Sequence, residues 1–247
     1  MEAPTAATAW FATALGRRCL ANEQRLVRQA LDRVFGEQFL QIGGWGGRDA
    51  FLPYARTQRK SLLGLGADDA GADFVSAAAQ LSVATDSIDA VFLPHTLELS
   101  ESPHALLRES DRILRADGHL IVLGFVPSGL WGLRHLLSRD GYPHGHRYMI
   151  RERRLRDWLT LLSFDVESVT PYCHTLPFEQ IRRLGTFPSE RWAQRWLPFL
   201  AGSYMLCAQK RVQRLTPIRP AWKRPRLRAV GGLVEPTTRA SRTRGCG

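Results

Sequence analysis

Apolar positions along the chain change their period several times, and each change predicts an element. From Trp10 to Val34 they recur at helical spacing (Phe11, Leu15, Leu26, Ala30, Val34) and stop at Phe35-Gly36, which predicts one or two helices. Residues 38–42 then form a short apolar strand that runs directly into Gly43-Gly44-Trp45-Gly46-Gly47. Further strands are predicted over 60–65, 73–75 and 87–93. Helical spacing returns over 103–114, where Leu106, Leu107, Ser110, Ile113 and Leu114 share a face and Gly118 follows as a stop. Residues 119–125 are an almost unbroken Leu/Ile/Val run, the pattern of a parallel strand covered on both faces. Helices over 128–137 and 151–162, a strand over 164–169, a helix between 178 and 196 and a strand over 203–209 complete the pattern. Strands alternating with helices predict an α/β fold, an open sheet joined by right-handed crossovers.

Composition narrows this picture in two places. With 247 residues, 44% of them hydrophobic, the chain has material for a sizeable core, which excludes a disordered or disulfide-stapled class. Its four cysteines, Cys19, Cys173, Cys207 and Cys246, show no metal-ligand spacing and read as thiols of a reducing, cytoplasmic setting. The uncharged stretch over 118–133 is too short and too broken by Gly and Pro to span a membrane, and the Ala-rich start lacks the leading positive charge of a signal peptide. The formal charge of +11 is lopsided: eleven of the 34 Lys and Arg lie from Lys210 onward, against a single acid, Glu235. Three regions follow, namely an N-terminal helical segment 1–36, a domain 37–210 and a basic, Pro-containing tail 211–247 that is expected to be extended. The tail reads either as a solvated segment lying over the domain or as an arm, 210–247, that contacts nucleic acid through phosphates.

Candidate chemistry is sparse. A strand entering a Gly-rich turn opens a nucleotide-binding βαβ unit, because glycines let backbone approach a ligand at the strand's carboxyl end. His95, after the fourth strand, stands at the rim of that crevice as a candidate cofactor contact or general base, or else as a histidine bonded to nearby backbone. Glu98 reads as part of a helix start. His135, His144 and His146 lack acidic or thiol companions, so no metal site is assigned. The loop around Trp131, Tyr142 and Tyr148 is the place for an acceptor-binding lid. Arg151, Arg153, Arg154 and Arg156 alternate with Glu152 and Asp157 as a solvated helix face, and Trp192 and Trp196 read as core.

Four segments taken together, Gln41-Ile42-Gly43-Gly44-Trp45-Gly46-Gly47, Asp86-Ser87-Ile88-Asp89-Ala90-Val91, Leu93-Pro94-His95-Thr96-Leu97-Glu98 and Leu114-Arg115-Ala116-Asp117-Gly118-His119-Leu120, resemble the class I S-adenosylmethionine-dependent methyltransferases, in particular the type 11 subgroup. The resemblance implies a Rossmann-like, mostly parallel seven-stranded sheet with helices on both faces and a reversed final strand. It further implies S-adenosylmethionine as cofactor, held by Gln41, Gly43, Gly44, Trp45, Gly47, Gly66, Ala79, Gln80, Leu81, Leu93 and His95, with an open crevice between Gly43, Gly47 and the turn after Leu93. The sequence departs from the family at its acidic anchors: Gln41 stands for the acid opening the Gly-rich motif, Trp45 for its middle glycine, Gly66 for the carboxylate closing the second strand and Ala77 for the acid near the adenine. Asp68 or Asp69 could serve the ribose instead, and Trp45 either stacks on the cofactor or plugs the crevice. The implied function is methyl transfer to an unidentified small molecule, RNA or protein. The alternative is a catalytically silent methyltransferase-like scaffold whose tail binds nucleic acid or a partner protein.

Overall fold

The structure, a computed structural model, describes residues 10–66, 69, 71–138, 142–143, 148–174, 177 and 201–211. All of them belong to the first of two units into which the chain divides, Met1–Gln213; the second, Arg214–Gly247, lies outside the described residues, as does the helix expected between 178 and 196. In chain order the elements are α1 (Ala14–Leu31), β1 (Gln38–Ile42), α2 (Arg48–Phe51), β2 (Arg59–Gly64), β3 (Phe74–Val75), β4 (Ile88–Pro94), α3 (Thr96–Leu99), α4 (Pro103–Ile113), β5 (Leu114–Phe125), α5 (Leu130–Leu137), α6 (Glu152–Leu161), β6 (Phe164–Tyr172) and β7 (Ser203–Lys210). The seven strands form one sheet in the order β3-β2-β1-β4-β5-β7-β6. Strand β7 runs antiparallel to both β5 and β6, while the pairs β2–β3, β1–β2, β1–β4 and β4–β5 are parallel. This is the expected α/β architecture with one reversed strand.

The period-two alternation of the strands builds two cores, one on each face of the sheet. Phe39, Leu62, Ala90, Phe92, Ile121, Leu123 and Phe125 point to the face covered by α1 and α2. Leu40, Ile42, Leu63, Val91, Leu93, Leu120 and Val122 point to the face covered by α4 and α6. Helix α1 begins where the Thr13 side chain accepts a hydrogen bond from Gly16 N, and it buries Leu15, Cys19, Glu23, Leu26, Val27 and Leu31, a stripe at three- and four-residue spacing. Charge registers the sheet at the end remote from the Gly-rich turn: Asp89 Oδ2 accepts from both Glu37 N and Gln38 N at 2.8 Å, and Arg115 closes the other oxygen at 3.0 Å. Asp89, one of the residues carrying the family resemblance, is therefore a clamp between the starts of β1 and β4. Of the solvated face read over 151–157, the Arg156–Glu152 ion pair is present on α6.

Candidate functional site

The strand order reverses between β1 and β4, so the crevice outside their carboxyl ends is where an open α/β sheet takes a ligand. Gly43 ends β1 with φ +95°, and a Cβ there would come 2.7 Å from Thr96 Oγ1. Thr96, in the turn after β4, donates to the Ile42 carbonyl. These two turns are stitched together, which corrects the expectation of an open crevice between them. Space lies to the other side, where Cβ atoms on Gly47, Gly66 and Gly71 would meet nothing within 4 Å among the described residues.

Asp69 is the residue that organises this open side. Its Oδ1 accepts from Gly44 N at 3.0 Å and its Oδ2 from Leu65 N at 2.7 Å, so one carboxylate spans the ends of β1 and β2. The fit explains two glycines: a Cβ on Gly44 would lie 2.6 Å from Asp69 Oδ1, and one on Gly64 would lie 2.9 Å from Asp69 Cβ. A carboxylate thus stands at the end of β2, three residues later than the family position that Gly66 occupies. Gln41 is fully buried; its Nε2 donates to the Gly43 carbonyl at 3.1 Å, and its Oε1 has no hydrogen-bond partner among the described residues. Beyond β3, Ala79 and Gln80 are exposed on a tight loop, whereas Leu81 is buried and its N–H is held by Glu109 Oε2 at 2.8 Å. Leu93 lies wholly inside the core.

Trp45 does not line an open surface. It is 2% exposed, with its ring 5.4 Å from that of Trp10, 4.7 Å from Phe11, 4.7 Å from His95 and 5.9 Å from Phe125. Its indole N–H donates to Glu23 Oε2 at 3.0 Å. Of the two roles open to this residue, the structure shows the plug, a large ring filling the angle between the Gly-rich turn, α1 and the β4 turn.

Glu23, which the sequence reading passed over, is the hub beneath that ring. Its carboxylate is fully buried and faces Trp45, His95 Nε2 at 3.3 Å, the Tyr172 hydroxyl at 3.2 Å and Cys19 Sγ at 3.4 Å. His95 is likewise fully buried rather than at the rim, with φ +55°, and its Nδ1 lies 3.1 Å from Glu98 Oε2. Burial alone would lower the His95 pKa, but its hydrogen bonds to Glu23 and Glu98 outweigh that and hold the imidazole above its ordinary value. Burial raises the Glu98 carboxyl, against the opposing pull of His95. Glu98 is more than a helix start: its Oε1 accepts from Phe125 N at 2.8 Å, fixing the end of β5. Burial also lifts the Tyr172 hydroxyl well above the usual phenol range. A signal for Glu23 was present in the sequence, an acid on the apolar stripe of α1, but its partners Trp45, His95 and Tyr172 lie 22 to 149 residues away.

Of the expected lid, Trp131 and Tyr142 are buried in the core and Trp10 Nε1 donates to the Tyr142 hydroxyl at 3.3 Å; His144 and His146 lie outside the described residues. The described residues contain no group of three or more His, Cys, Asp or Glu side chains placed to hold a metal ion, and no helix long and apolar enough to cross a membrane.

The fold is the Rossmann-like one of the methyltransferases, a seven-stranded sheet with reversed β7, and it carries a Gly-rich turn at its switch point. Residues 49–122 match the model of a methyltransferase domain family. The chain is 34% identical over 158 residues to the uncharacterized protein YafS of Escherichia coli, the match covering 62% of each. It thus spans less than two thirds of that relative's length. Among solved structures, a SAM-dependent methyltransferase of Thermotoga maritima superposes with a TM-score of 0.60 at 18% identity, covering 82% of this chain and 94% of that one. The cyclase SpnF superposes with a TM-score of 0.53 at 17% identity, covering 86% and 98%.

The residues fit the cofactor unequally. Asp69 and the bare glycines Gly47, Gly66 and Gly71 offer a carboxylate beside open space, which fits the diol of a nucleoside. Between the Gly-rich turn and β4, the Trp45 ring takes up the volume.

Proposed function

We propose that this chain binds S-adenosylmethionine at the carboxyl ends of β1, β2 and β4 and acts as a methyltransferase toward an acceptor. The observation that carries the reading is the Asp69 carboxylate. Each of its oxygens is oriented by one backbone N–H and keeps a further lone pair, which suits it to accept both hydroxyls of a ribose diol. Gln41 Oε1 is the buried acceptor for an ammonium group, and Gly47, without a Cβ, admits a carboxylate to the backbone. When bound, the cofactor supplies a methyl group on a sulfonium, which a nucleophile displaces in line. Such a displacement can run on positioning alone. His95, pinned between Glu23 and Glu98, serves as a positioning residue that keeps α1, β4 and β5 in register around the site.

A second reading is favoured by one specific observation, the Trp45 ring wedged against His95. In that reading the chain is a silent methyltransferase-like scaffold whose contribution is binding, with the basic segment 210–247 as its arm for nucleic acid or a partner protein. Thermal melting with added cofactor separates the two. At 100 times its dissociation constant S-adenosylmethionine stabilises a binding fold by about 2.7 kcal/mol, a shift of roughly 5–10 °C for a domain of this size. The methyltransferase reading expects that shift and expects Asp69→Ala to remove most of it. No shift at ~1 mM cofactor, in protein shown to be folded, establishes the scaffold instead.

A further inference from the structure

Two thiols meet beside the site although the chain separates them widely. Cys19 lies on the inward stripe of α1 and Cys173 directly after β6; their Sγ atoms are 2.8 Å apart across 154 residues of sequence, and both side chains are fully buried. Cys173 has φ +58°, the left-handed region that non-glycine residues seldom adopt. The chain turns there, and its carbonyl accepts from Gly202 N at 3.1 Å, so the bend that ends β6 is fixed by the neighbouring β7 connection. Held backbone strain of this kind marks positions where a side chain has to be aimed.

We propose that Cys19 and Cys173 are a redox pair that closes to a disulfide, stapling α1 to the end of β6 directly beneath Glu23. The sulfurs already lie within about 1 Å of the ~2.05 Å bonding distance, with no other cysteine pair in contact among the described residues. A buried cysteine often serves only as a small apolar filler, and filling needs no particular partner. Here each thiol faces the other, and Cys19 also faces Glu23 Oε1 at 3.4 Å. Burial, and next the neighbouring Cys173, push the Cys19 thiol up, so the closed dithiol is unreactive and exchange requires α1 to open.

The oxidant is a small disulfide such as glutathione disulfide. One cysteine, as thiolate, attacks it and releases one glutathione thiol; the second cysteine then attacks the mixed disulfide and releases another. One sulfur–sulfur bond is made and one broken, two electrons pass to glutathione, and the two thiol protons end on the two glutathione molecules. The product loses the Cys19 S–H that faces Glu23 and ties α1 covalently to the sheet. The carboxylate under Trp45 is thereby fixed to the redox state of the pair.

The test uses the full chain, refolded from denaturant in glutathione buffers from fully reduced to fully oxidised so that burial does not limit exchange. Samples are quenched in acid, unfolded, alkylated, digested and mapped by mass. The expected result is a cross-linked peptide joining Cys19 to Cys173, two hydrogens lighter than the separate peptides, with Cys207 and Cys246 alkylated. Melting with and without reductant adds a second readout, an oxidised form that melts roughly 5–15 °C higher. That difference disappears in Cys173→Ala. Alkylation of both Cys19 and Cys173 in the most oxidising buffer overturns the proposal, as does pairing of either with Cys207 or Cys246 to the same extent. Mapping of the unsubstituted chain decides the matter even where the variant fails to fold.

Discussion

Trp45 stands where the resembled methyltransferase motif has a glycine, and its ring meets two separate demands. It fills the apolar angle between Trp10, Phe11 and Phe125, and its indole N–H satisfies one side of a buried carboxylate at Glu23. Trp45→Gly removes both, so a stability loss of about 3–5 kcal/mol is expected in urea denaturation. The same substitution gives the glycine of the resembled motif and vacates the volume between the Gly-rich turn and β4. The shift in melting temperature produced by S-adenosylmethionine should therefore be larger in Trp45→Gly than in the unsubstituted chain. An equal or smaller shift in the folded variant would show that the ring is no obstacle to the cofactor.

At the scale of elements, the ends of the sheet are held by different means. Where β1 and β4 begin, Asp89 accepts from two backbone N–H groups and pairs with Arg115; where they end, Thr96 reaches the Ile42 carbonyl over Gly43. Asp89→Ala leaves the Glu37 and Gln38 donors without their acceptor and is expected to cost about 2 kcal/mol, seen as a lower urea midpoint at unchanged slope. Gly43→Ala adds a methyl 2.7 Å from Thr96 Oγ1 at φ +95°, whereas Gly47→Ala at φ +80° meets nothing within 4 Å. The first substitution should destabilise by about 1–3 kcal/mol and the second by less, since only the backbone conformation opposes it. Equal losses at the two positions would mean that Thr96 yields and the stitch is loose.

For the whole molecule, the buried Glu23–His95–Glu98 chain couples folding to pH. The folded pKa of His95 lies above its unfolded value of about 6.5, so its stabilising contribution is complete below that value and is lost as pH rises through the folded pKa. Glu98, raised by burial, acts in the same direction as it ionises. The urea midpoint should accordingly fall as pH is raised from about 6.5 toward 8, and His95→Gln should flatten that fall. A midpoint that rises over this window in the unsubstituted chain would show that the imidazole is neutral in the fold. The charge asymmetry belongs to the same scale: deleting residues from Thr216 onward removes most of the basic excess, so retention on heparin should drop and lose its salt dependence. Unchanged retention would remove the nucleic-acid reading of the tail.

Hydrophobic period alone determined most of the elements, because strands covered on both faces and helices with one apolar stripe leave local signatures. β1 matches its expected residues, and β2, β4, β7 and α4 lie within a residue or two of theirs. Strands β5 and β6 run further than expected, to Leu114 and Tyr172, since pairing with β4 and β7 carries polar residues that alternation does not select. The Gly-rich turn and its family resemblance were equally local. Only the tertiary structure decided what the site is made of. Asp69 reaches Gly44 across 25 residues, Glu23 reaches Tyr172 across 149, and Cys19 meets Cys173 across 154. None of these pairs has a spacing to read, because a buried charge finds its partners wherever the sheet order brings them and the chain between them carries no record of the meeting.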